Sequence, residues 1–132
     1  MGNLKDVYIM DLPSVEDERG ILTVVEKDLP IEIKRIFYMH NIIKDRGGHA
    51  HMDTDQIIIP IAGSFKMKLS DEEGSREIEM NDARKGVYVP RLVFVDFSAF
   101  STGSVCLVLS STIYDFSKSL RSWDDYINYI KG

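Results

Sequence analysis

The sequence is poor in cysteine, in histidine and in positive charge. Of its 132 residues only one is cysteine and three are histidine, and 16 Lys and Arg stand against 21 Asp and Glu, for a net charge of −5. A single cysteine, Cys106, excludes an internal disulfide, and its apolar neighbours predict a buried, unreactive thiol. The negative balance argues against a nucleic-acid binder, because such proteins neutralise phosphates with Lys and Arg.

The sequence also lacks long apolar runs. No stretch approaches the roughly 20 residues that cross a bilayer, and the opening Met-Gly-Asn-Leu-Lys-Asp has no apolar signal core. We therefore expect a cytoplasmic protein without membrane contact. With 44% hydrophobic residues in 132, the chain suits one globular domain over residues 1–132, since no linker, repeat or low-complexity tract divides it.

Most of the chain reads as short extended segments separated by turn residues. Turn chemistry clusters at residues 17–20, 45–48, 71–75 and 101–103. Strands at such regular spacing, without intervening helices, predict an antiparallel all-β sandwich or barrel. The predicted strands are residues 7–12, 21–26, 33–40, 48–51, 56–62, 64–70, 76–80, 86–90, 93–98 and 104–110.

Only the C-terminal segment has a helical pattern. After Ser122, a good N-cap, apolar residues recur at Trp123, Tyr126, Ile127 and Ile130, which is the spacing of one helix face. Two aspartates in the first turn complement the helix dipole. The sequence therefore predicts one short C-terminal α-helix.

Two histidines stand two positions apart, at His49 and His51. Side chains alternate along a strand, so both imidazoles project to the same face with about 7 Å between their Cα atoms, and Ala50 points to the other face. A pair of this kind suits either acid/base catalysis or two ligands of a metal site.

The residues around the pair resemble the first half of the cupin motif, in which His-x-His is followed by Glu and then Gly. Here Gln56 and Gly63 follow at that spacing. The resemblance implies an all-β double-stranded β-helix, or jelly roll. Metal-binding cupins add a further histidine from a later strand, but residues 86–96 contain none, and a neutral amide replaces the Glu. We therefore expect no metal, unless Asp53 or Asp55 supplies a missing ligand.

A closer resemblance covers nearly the whole chain. It is carried by residues 17–20 with Leu22, 33–38, 46–51 (Arg-Gly-Gly-His-Ala-His), 63–65, 86–89, 108–110 and 114–115, and by the terminal aromatic helix. Their order and spacing are similar to those of the cupin-type nucleotide-sugar 3,4-ketoisomerases. That family acts on dTDP-4-keto-6-deoxyglucose in deoxysugar and surface-polysaccharide biosynthesis. The resemblance implies a homodimer with exchanged N-terminal strands, and neither metal nor other cofactor.

One segment departs from the family pattern. After Gly-x-Tyr-Val the family usually carries a Trp-His pair, and here the aligned residues are Phe94 and Val95. Two alternatives to an active ketoisomerase therefore stay open. One is a catalytically silent or altered-specificity sugar-nucleotide-binding cupin, and the other is a metal-dependent cupin with unrecognised ligands.

Proton transfer by two imidazoles suits the chemistry that the resemblance implies. Moving a carbonyl from C4 to C3 requires removal of the C3 proton, an enediol, proton exchange between the two oxygens, and protonation at C4. Imidazole, with an ordinary pKa of about 6.5, takes and returns protons near neutral pH. By resemblance, His51 is the base and His49 the proton shuttle.

The diphosphate of such a substrate requires cations. We expect Arg46, three residues before His49, to bind phosphate through its planar guanidinium. Arg35 and Lys34 lie on another predicted strand, where alternation lets only one of them face the site, and we favour Arg35. Arg91, near the position of the missing histidine, is a further cation in that region.

Three more residues are predicted to bind substrate. Tyr38 offers a hydroxyl, although a regular strand puts residues 35 and 38 on opposite faces and only a bulge would bring both to the site. Arg19 follows a turn, where it either binds substrate or fixes the loop. Gln56 completes the set through its position in the motif.

Overall fold

Two five-stranded antiparallel sheets packed face to face make up the body of the protein, in a computed structural model that describes residues 3–132. The elements are a 3-10 helix at Leu4–Asp6, the strands β1 (Tyr8–Asp11), β2 (Ser14–Asp17), β3 (Gly20–Thr23), β4 (Arg35–Met39), β5 (Arg46–His51), β6 (Gln56–Ala62), β7 (Phe65–Ser70), β8 (Ser75–Met80), β9 (Lys85–Val89), β10 (Phe94–Ser98) and β11 (Val105–Ser110), a 3-10 helix at Phe116–Lys118, β12 (Ser119–Leu120) and α1 (Trp123–Lys131).

Strand order defines the two sheets. Sheet I runs β1-β9-β6-β11-β4, and sheet II runs β12-β5-β10-β7-β8. Strands β2 and β3 pair only with each other, as a separate hairpin. Apart from the hairpin of β7 and β8, neighbours within each sheet are not consecutive in the chain, which is the connectivity of a jelly roll and confirms the predicted all-β class.

Alternating side chains build the core between the sheets. In β4, Arg35, Phe37 and Met39 are partly buried toward the interior, and Ile36 and Tyr38 are exposed on the outer face. The interior is filled by apolar residues from both sheets, and burying them is the main favourable term for folding. These residues include Ile58, Phe65, Met67, Leu69, Val87, Val89, Val93, Val95, Phe97, Cys106 and Val108.

Each sheet is also covered on its outer face. On sheet I, Ile57, Ile59 and Leu109 pack under apolar residues from the segment between β3 and β4. On sheet II, Tyr126 of α1 packs over Ala50 and Phe94. This cover explains why β6 is apolar on both faces and does not alternate.

The predicted helix is confirmed together with its cap. Ser122 Oγ accepts a hydrogen bond from the backbone N–H of Asp125 at 3.1 Å. The Tyr126 hydroxyl donates to the carbonyl of Leu92 at 2.8 Å, and burial raises the pKa of that hydroxyl to about 12. The helix is therefore fixed to sheet II by a buried aromatic anchor.

All ten predicted strands exist, with no end shifted by more than three residues, but β2 and β12 were not predicted. The predicted turn at residues 45–48 is wrong for residues 46 and 47, which belong to β5, and Gly48 lies in β5 as the predicted strand 48–51 has it. Gly47 and Gly48 have φ of +94° and +74°, and a Cβ on Gly47 would lie 2.7 Å from the carbonyl oxygen of Val95. Glycine thus lets β5 stay against β10 where the register shifts at Val95/Asp96.

The remaining structural expectations concern Cys106 and the membrane. Cys106 is fully buried, and burial raises the pKa of its thiol to about 12, so it is unreactive as predicted. Within residues 3–132, no helix has both the length and the apolar character needed to cross a membrane.

Candidate active site

A cavity of about 390 Å³ lies between β4 at the edge of sheet I and β5 and β12 at the facing edge of sheet II. A second cavity of about 330 Å³ adjoins it and reaches inward to Gln56. Arg46, His49 and Arg121 line both cavities. Larger grooves of about 550 and 510 Å³ lie at the N-terminal 3-10 helix and at the β4–β5 loop, but neither contains the histidine pair.

His49 and His51 face the same cavity, as strand alternation predicts. Their ring centroids are 5.1 Å apart and the rings meet edge to face at 83°. Ala50, between them, points to the opposite face of sheet II and is fully buried in the apolar cluster that contains Phe94 and Tyr126 of α1. The two imidazoles are therefore held on a rigid strand in the interior of the jelly roll.

Burial and nearby positive charge lower the pKa of both histidines. For His51 burial is the largest cause, followed by His49, Arg35 and Arg121, and the pKa falls to about 4 although Asp53 opposes the shift. For His49 burial again dominates, and a hydrogen bond with the backbone of Gly47 opposes it. Both rings are therefore neutral at pH 7 and able to accept a proton.

The side chain of Gln56 lies directly behind His51. Its Nε2 is 3.4 Å from Nε2 of His51 and donates to Ser110 Oγ at 3.4 Å. Gln56 is only 6% exposed, and it occupies the position where the cupin motif has Glu. Over residues 3–132 no three His, Cys, Asp or Glu side chains are grouped so that they would hold a metal ion.

Three arginines face the histidine pair. The guanidinium of Arg35 lies 5.1 Å from the ring centre of Phe37 and 5.4 Å from that of Tyr114, and its buried Nε has no hydrogen-bond partner. Arg121 stacks over Phe116 at 4.2 Å. Arg46 lies where both cavities meet the groove of the β4–β5 loop. Aromatic rings thus hold two of the three cations in place.

The register of β4 shows which of Lys34, Arg35 and Tyr38 face the cavity. The pairing of β4 with β11 runs without a shift, so Arg35 faces inward and Tyr38 outward. Tyr38 is 62% exposed and packs against His40 at 5.6 Å between ring centres. Lys34 is exposed and lines neither cavity of this site.

Two other cations lie away from the cavity in this chain. Arg19 is in the β2–β3 turn, where its guanidinium donates to both carboxylate oxygens of Asp17, with a shortest distance of 2.6 Å. Arg91 makes a similar paired contact with Asp55, at 3.0 and 3.2 Å. Asp17 holds Arg19 within its own turn, and Asp55 holds Arg91 between two loops that are 36 residues apart in sequence.

Sequence reasoning missed Arg121 and Tyr114. Both come to the site through non-local contacts: β12 pairs with β5 so that Ser119 lies opposite His51, and Arg121 follows directly. Tyr114 belongs to the segment 114–115 that carries the family resemblance, and Arg121 carried a signal as a basic residue immediately before the helix cap. Its proximity to the histidines depends on a two-residue strand that no pattern in the sequence indicates.

Comparison with known proteins gives one family. The FdtA model (WxcM-like, C-terminal) matches residues 5–131. The TDP-4-oxo-6-deoxy-alpha-D-glucose-3,4-oxoisomerase of Aneurinibacillus thermoaerophilus is 31% identical over 126 residues, covering 92% of this chain and 91% of that protein. Both the family model and this relative cover all the elements that form the cavity.

Solved structures agree in fold and in sequence. The sugar 3,4-ketoisomerase QdtA from Thermoanaerobacterium thermosaccharolyticum, in complex with TDP, has a TM-score of 0.92 and 35% identity over 97% of this chain and 96% of its own. A histidine-to-asparagine variant of QdtA, in complex with TDP-4-keto-6-deoxyglucose, has the same TM-score and coverage at 34% identity.

Proposed function

This chain belongs to the FdtA (WxcM-like, C-terminal) family, and from that membership we propose that it is an isomerase that moves the keto group of TDP-4-keto-6-deoxyglucose from C4 to C3. The observation that carries the proposal is the convergence of two neutral imidazoles and three arginines on one cavity. The chain shares a TM-score of 0.92 with a ketoisomerase variant whose structure contains that sugar nucleotide.

The reaction needs only proton movements. His51 removes the C3 proton, which is acidic because it is α to the C4 ketone, and an enediol forms. His49 carries a proton between O3 and O4, and return of a proton to C4 completes the 3-ketone. C3 is oxidised as C4 is reduced, so the net balance requires no external oxidant or reductant. Each acid/base step is worth about 10²–10⁴ in rate.

The arginines have the geometry to bind the diphosphate. Arg35, Arg46 and Arg121 line the cavity that contains His49 and His51, and a guanidinium binds phosphate oxygens through two parallel hydrogen bonds. The unpaired Nε of Arg35 supports this role, because a buried donor without a partner is costly unless a ligand supplies one. Bound diphosphate would also offset the positive charge that lowers the pKa of His51.

We also propose a homodimer in which the N-terminal strands are exchanged. The β2–β3 hairpin pairs with no other strand and exposes Val15, Ile21 and Leu22, and an isolated two-stranded hairpin is marginally stable in water. Strand β4 is an edge of sheet I and exposes Tyr38. Docking of this hairpin on β4 of the partner subunit would cover the exposed face of the hairpin and the edge of sheet I. It would also bring Arg19 and Tyr38 toward one shared site, where both would contact substrate.

Sedimentation analysis tests the dimer. Leu22→Asp, which puts a charge on the exposed face of the hairpin, is expected to give a monomer. Ile43→Asp, at a 91% exposed position on the β4–β5 loop, serves as the matched control and stays dimeric. A wild-type monomer at micromolar concentration would refute the proposed exchange.

Product analysis by NMR tests the enzymatic function. Incubation of the protein with TDP-4-keto-6-deoxyglucose is expected to give the 3-keto isomer, and the spectrum also reads the configuration at C4. Unchanged sugar despite measurable binding would instead support a silent nucleotide-sugar-binding cupin. Activity that disappears with chelator and returns with one metal would support the metal-dependent alternative.

The other expectations stay predictions. These are a single catalytic domain over residues 1–132, a role for Gln56 in binding substrate, a cytoplasmic location, and a place in deoxysugar and surface-polysaccharide biosynthesis. Independence from metal is tested by the chelator experiment.

A further inference from the structure

A buried amide connects the two sheets immediately behind the catalytic pair. Gln56 lies at the start of β6 in sheet I, in register with Ser110 of β11, and its side chain reaches across the interior to His51 of sheet II. Ser110 is fully buried and Gln56 is 6% exposed. Ser110 is closed off from solvent and Gln56 borders the cavity of about 330 Å³, so their contacts with each other and with the imidazole are the side-chain hydrogen bonds that the protein itself provides.

The contact involves one particular ring atom. Nε2 of His51 is 3.4 Å from the amide of Gln56. A neutral imidazole carries its proton on one nitrogen and a lone pair on the other, and the partner of one nitrogen fixes the role of the second. Because the amide occupies Nε2, the ring atom left for the substrate is Nδ1.

We propose that Gln56 is a positioning residue that holds His51 through Nε2, so that Nδ1 is the atom that exchanges the proton with the sugar. The catalytic part of this inference rests on the proposed function. For Nδ1 to take the C3 proton, Nε2 must carry the ring proton and donate it to the carbonyl oxygen of Gln56, which a half-turn of the terminal amide places where its Nε2 now lies. In that orientation the amide selects this one tautomer. Ser110 Oγ, which both donates and accepts, tolerates either orientation.

An amide also suits the charge around His51. The groups that face the ring are His49 on the same strand, Asp53 after it, Arg35 from β4 and Arg121 after β12, and Arg46 and Asp115 line the same cavity. Gln56 adds no charge to this set, so it leaves the ring neutral at pH 7, with a lone pair on one nitrogen. A glutamate at this position would only accept hydrogen bonds, would stabilise the imidazolium, and would complete a His, His, carboxylate group of the kind that binds metals.

Two variants separate positioning from packing. Gln56→Met keeps the volume and removes the hydrogen bonds, and Gln56→Glu keeps the shape and adds a charge. Ser104→Ala is the matched control, because Ser104 is also buried, at 1% exposed, but its Oγ has no partner and lies outside the site. All four proteins are compared free of metal, so that inhibition by a bound metal does not contribute.

Ring nitrogen NMR shifts report the tautomer directly, without substrate. Wild type and Ser104→Ala are expected to show one tautomer of His51 at pH 7, and Gln56→Met a mixture. Gln56→Glu is expected to raise the pKa of His51 by at least about one unit from its value near 4. In the catalytic assay, Gln56→Met is expected to lower kcat by about 10- to 100-fold with KM changed less than about threefold.

Wild-type ring shifts together with wild-type kcat in Gln56→Met would overturn the inference, as would an unshifted His51 pKa in Gln56→Glu. Since the ring shifts are read on the free protein, they decide the tautomer question even if the sugar is not isomerised. Loss of the proposed function would appear as an inactive wild type. Loss of the positioning role would appear as an active wild type whose His51 does not respond to Gln56.

Discussion

The space between the two sheets has two sides with opposite character. On the side of β7 and β9, the interior is filled by apolar side chains, and the Phe65 ring lies 5.9 Å from that of Phe97 and 5.2 Å from that of Phe100. On the side of β4, β5 and β12, the inward positions hold His49, His51 and arginines around a cavity. We call these the packed side and the catalytic side.

The same strand alternation builds both sides, so the difference lies in which residues occupy inward positions. Val95 of β10 lies opposite His49 of β5, and one belongs to the apolar core while the other lines the cavity. Buried polar groups reduce stability unless they find partners, and the lowered pKa of both histidines reflects that cost. The proposed site thus lies on the side that buries the histidines and arginines, and the apolar core lies on the packed side.

The largest expected effect is loss of activity on the catalytic side. His51→Asn removes the proposed base but keeps a polar side chain of similar size, so exchange of the C3 hydrogen with solvent should fall by at least about 10²–10⁴-fold. TDP binding, measured by calorimetry, should change less than about threefold because the arginines are intact. Exchange at the wild-type rate would show that His51 is not the base.

Phe65→Ala is the corresponding change on the packed side. Phe65 is 1% exposed and packs against two other aromatic rings, so truncation leaves a cavity and should lower the free energy of unfolding by about 3–5 kcal/mol. Urea titration measures this loss. Activity per folded molecule should stay near wild type. Ile43→Ala, at an exposed site, is the control and should change stability by less than about 0.5 kcal/mol.

Acid should weaken the protein through the catalytic side. The pKa of His51 is about 4 when folded and about 6.5 when unfolded, so between those values the unfolded chain binds the additional proton and stability falls as pH decreases. From pH 7 to 4.5 this amounts to about 2 kcal/mol. His51→Asn does not titrate and should lose less stability over the same range. Parallel pH profiles of the two proteins would contradict the lowered pKa.

The smallest effect concerns a single cation. Arg121→Ala removes one guanidinium from the cavity and should weaken TDP binding by about 10- to 100-fold, as expected for the loss of charge-assisted hydrogen bonds. Arg84→Ala, whose arginine is paired with Asp82 away from the cavity, is the matched control. Equal affinity of the two variants would remove Arg121 from the site.

Local sequence patterns account for much of both sides. Alternation alone predicts that His49 and His51 share a face, and that residues 35 and 38 do not. The apolar spacing after Ser122 predicts the helix and its cap, because these interactions are within one turn. The ten predicted strands follow from turn residues and β-branched runs, which act over a few positions.

What the sequence does not predict depends on contacts between distant segments. Arg121 reaches the site only because β12 pairs with β5. From the sequence alone, Gly47 and Gly48 are typical of a turn. In the structure β10 packs against them, and the close approach of Val95 to Gly47 requires glycine at that position. The partner of Gln56 is a histidine on the opposite sheet, and no periodicity connects the two sheets.

The most direct test of the account follows the hydrogen atoms of the substrate in D₂O. Wild-type protein is incubated with TDP-4-keto-6-deoxyglucose and the sugar is examined by NMR at C3 and C4. Proton transfer by the histidine pair predicts a 3-keto product that carries solvent deuterium at C4. A 3-keto product whose C4 hydrogen comes entirely from C3, formed equally fast by the His51→Asn variant, would contradict it, because that result requires direct transfer between the two carbons without a histidine base.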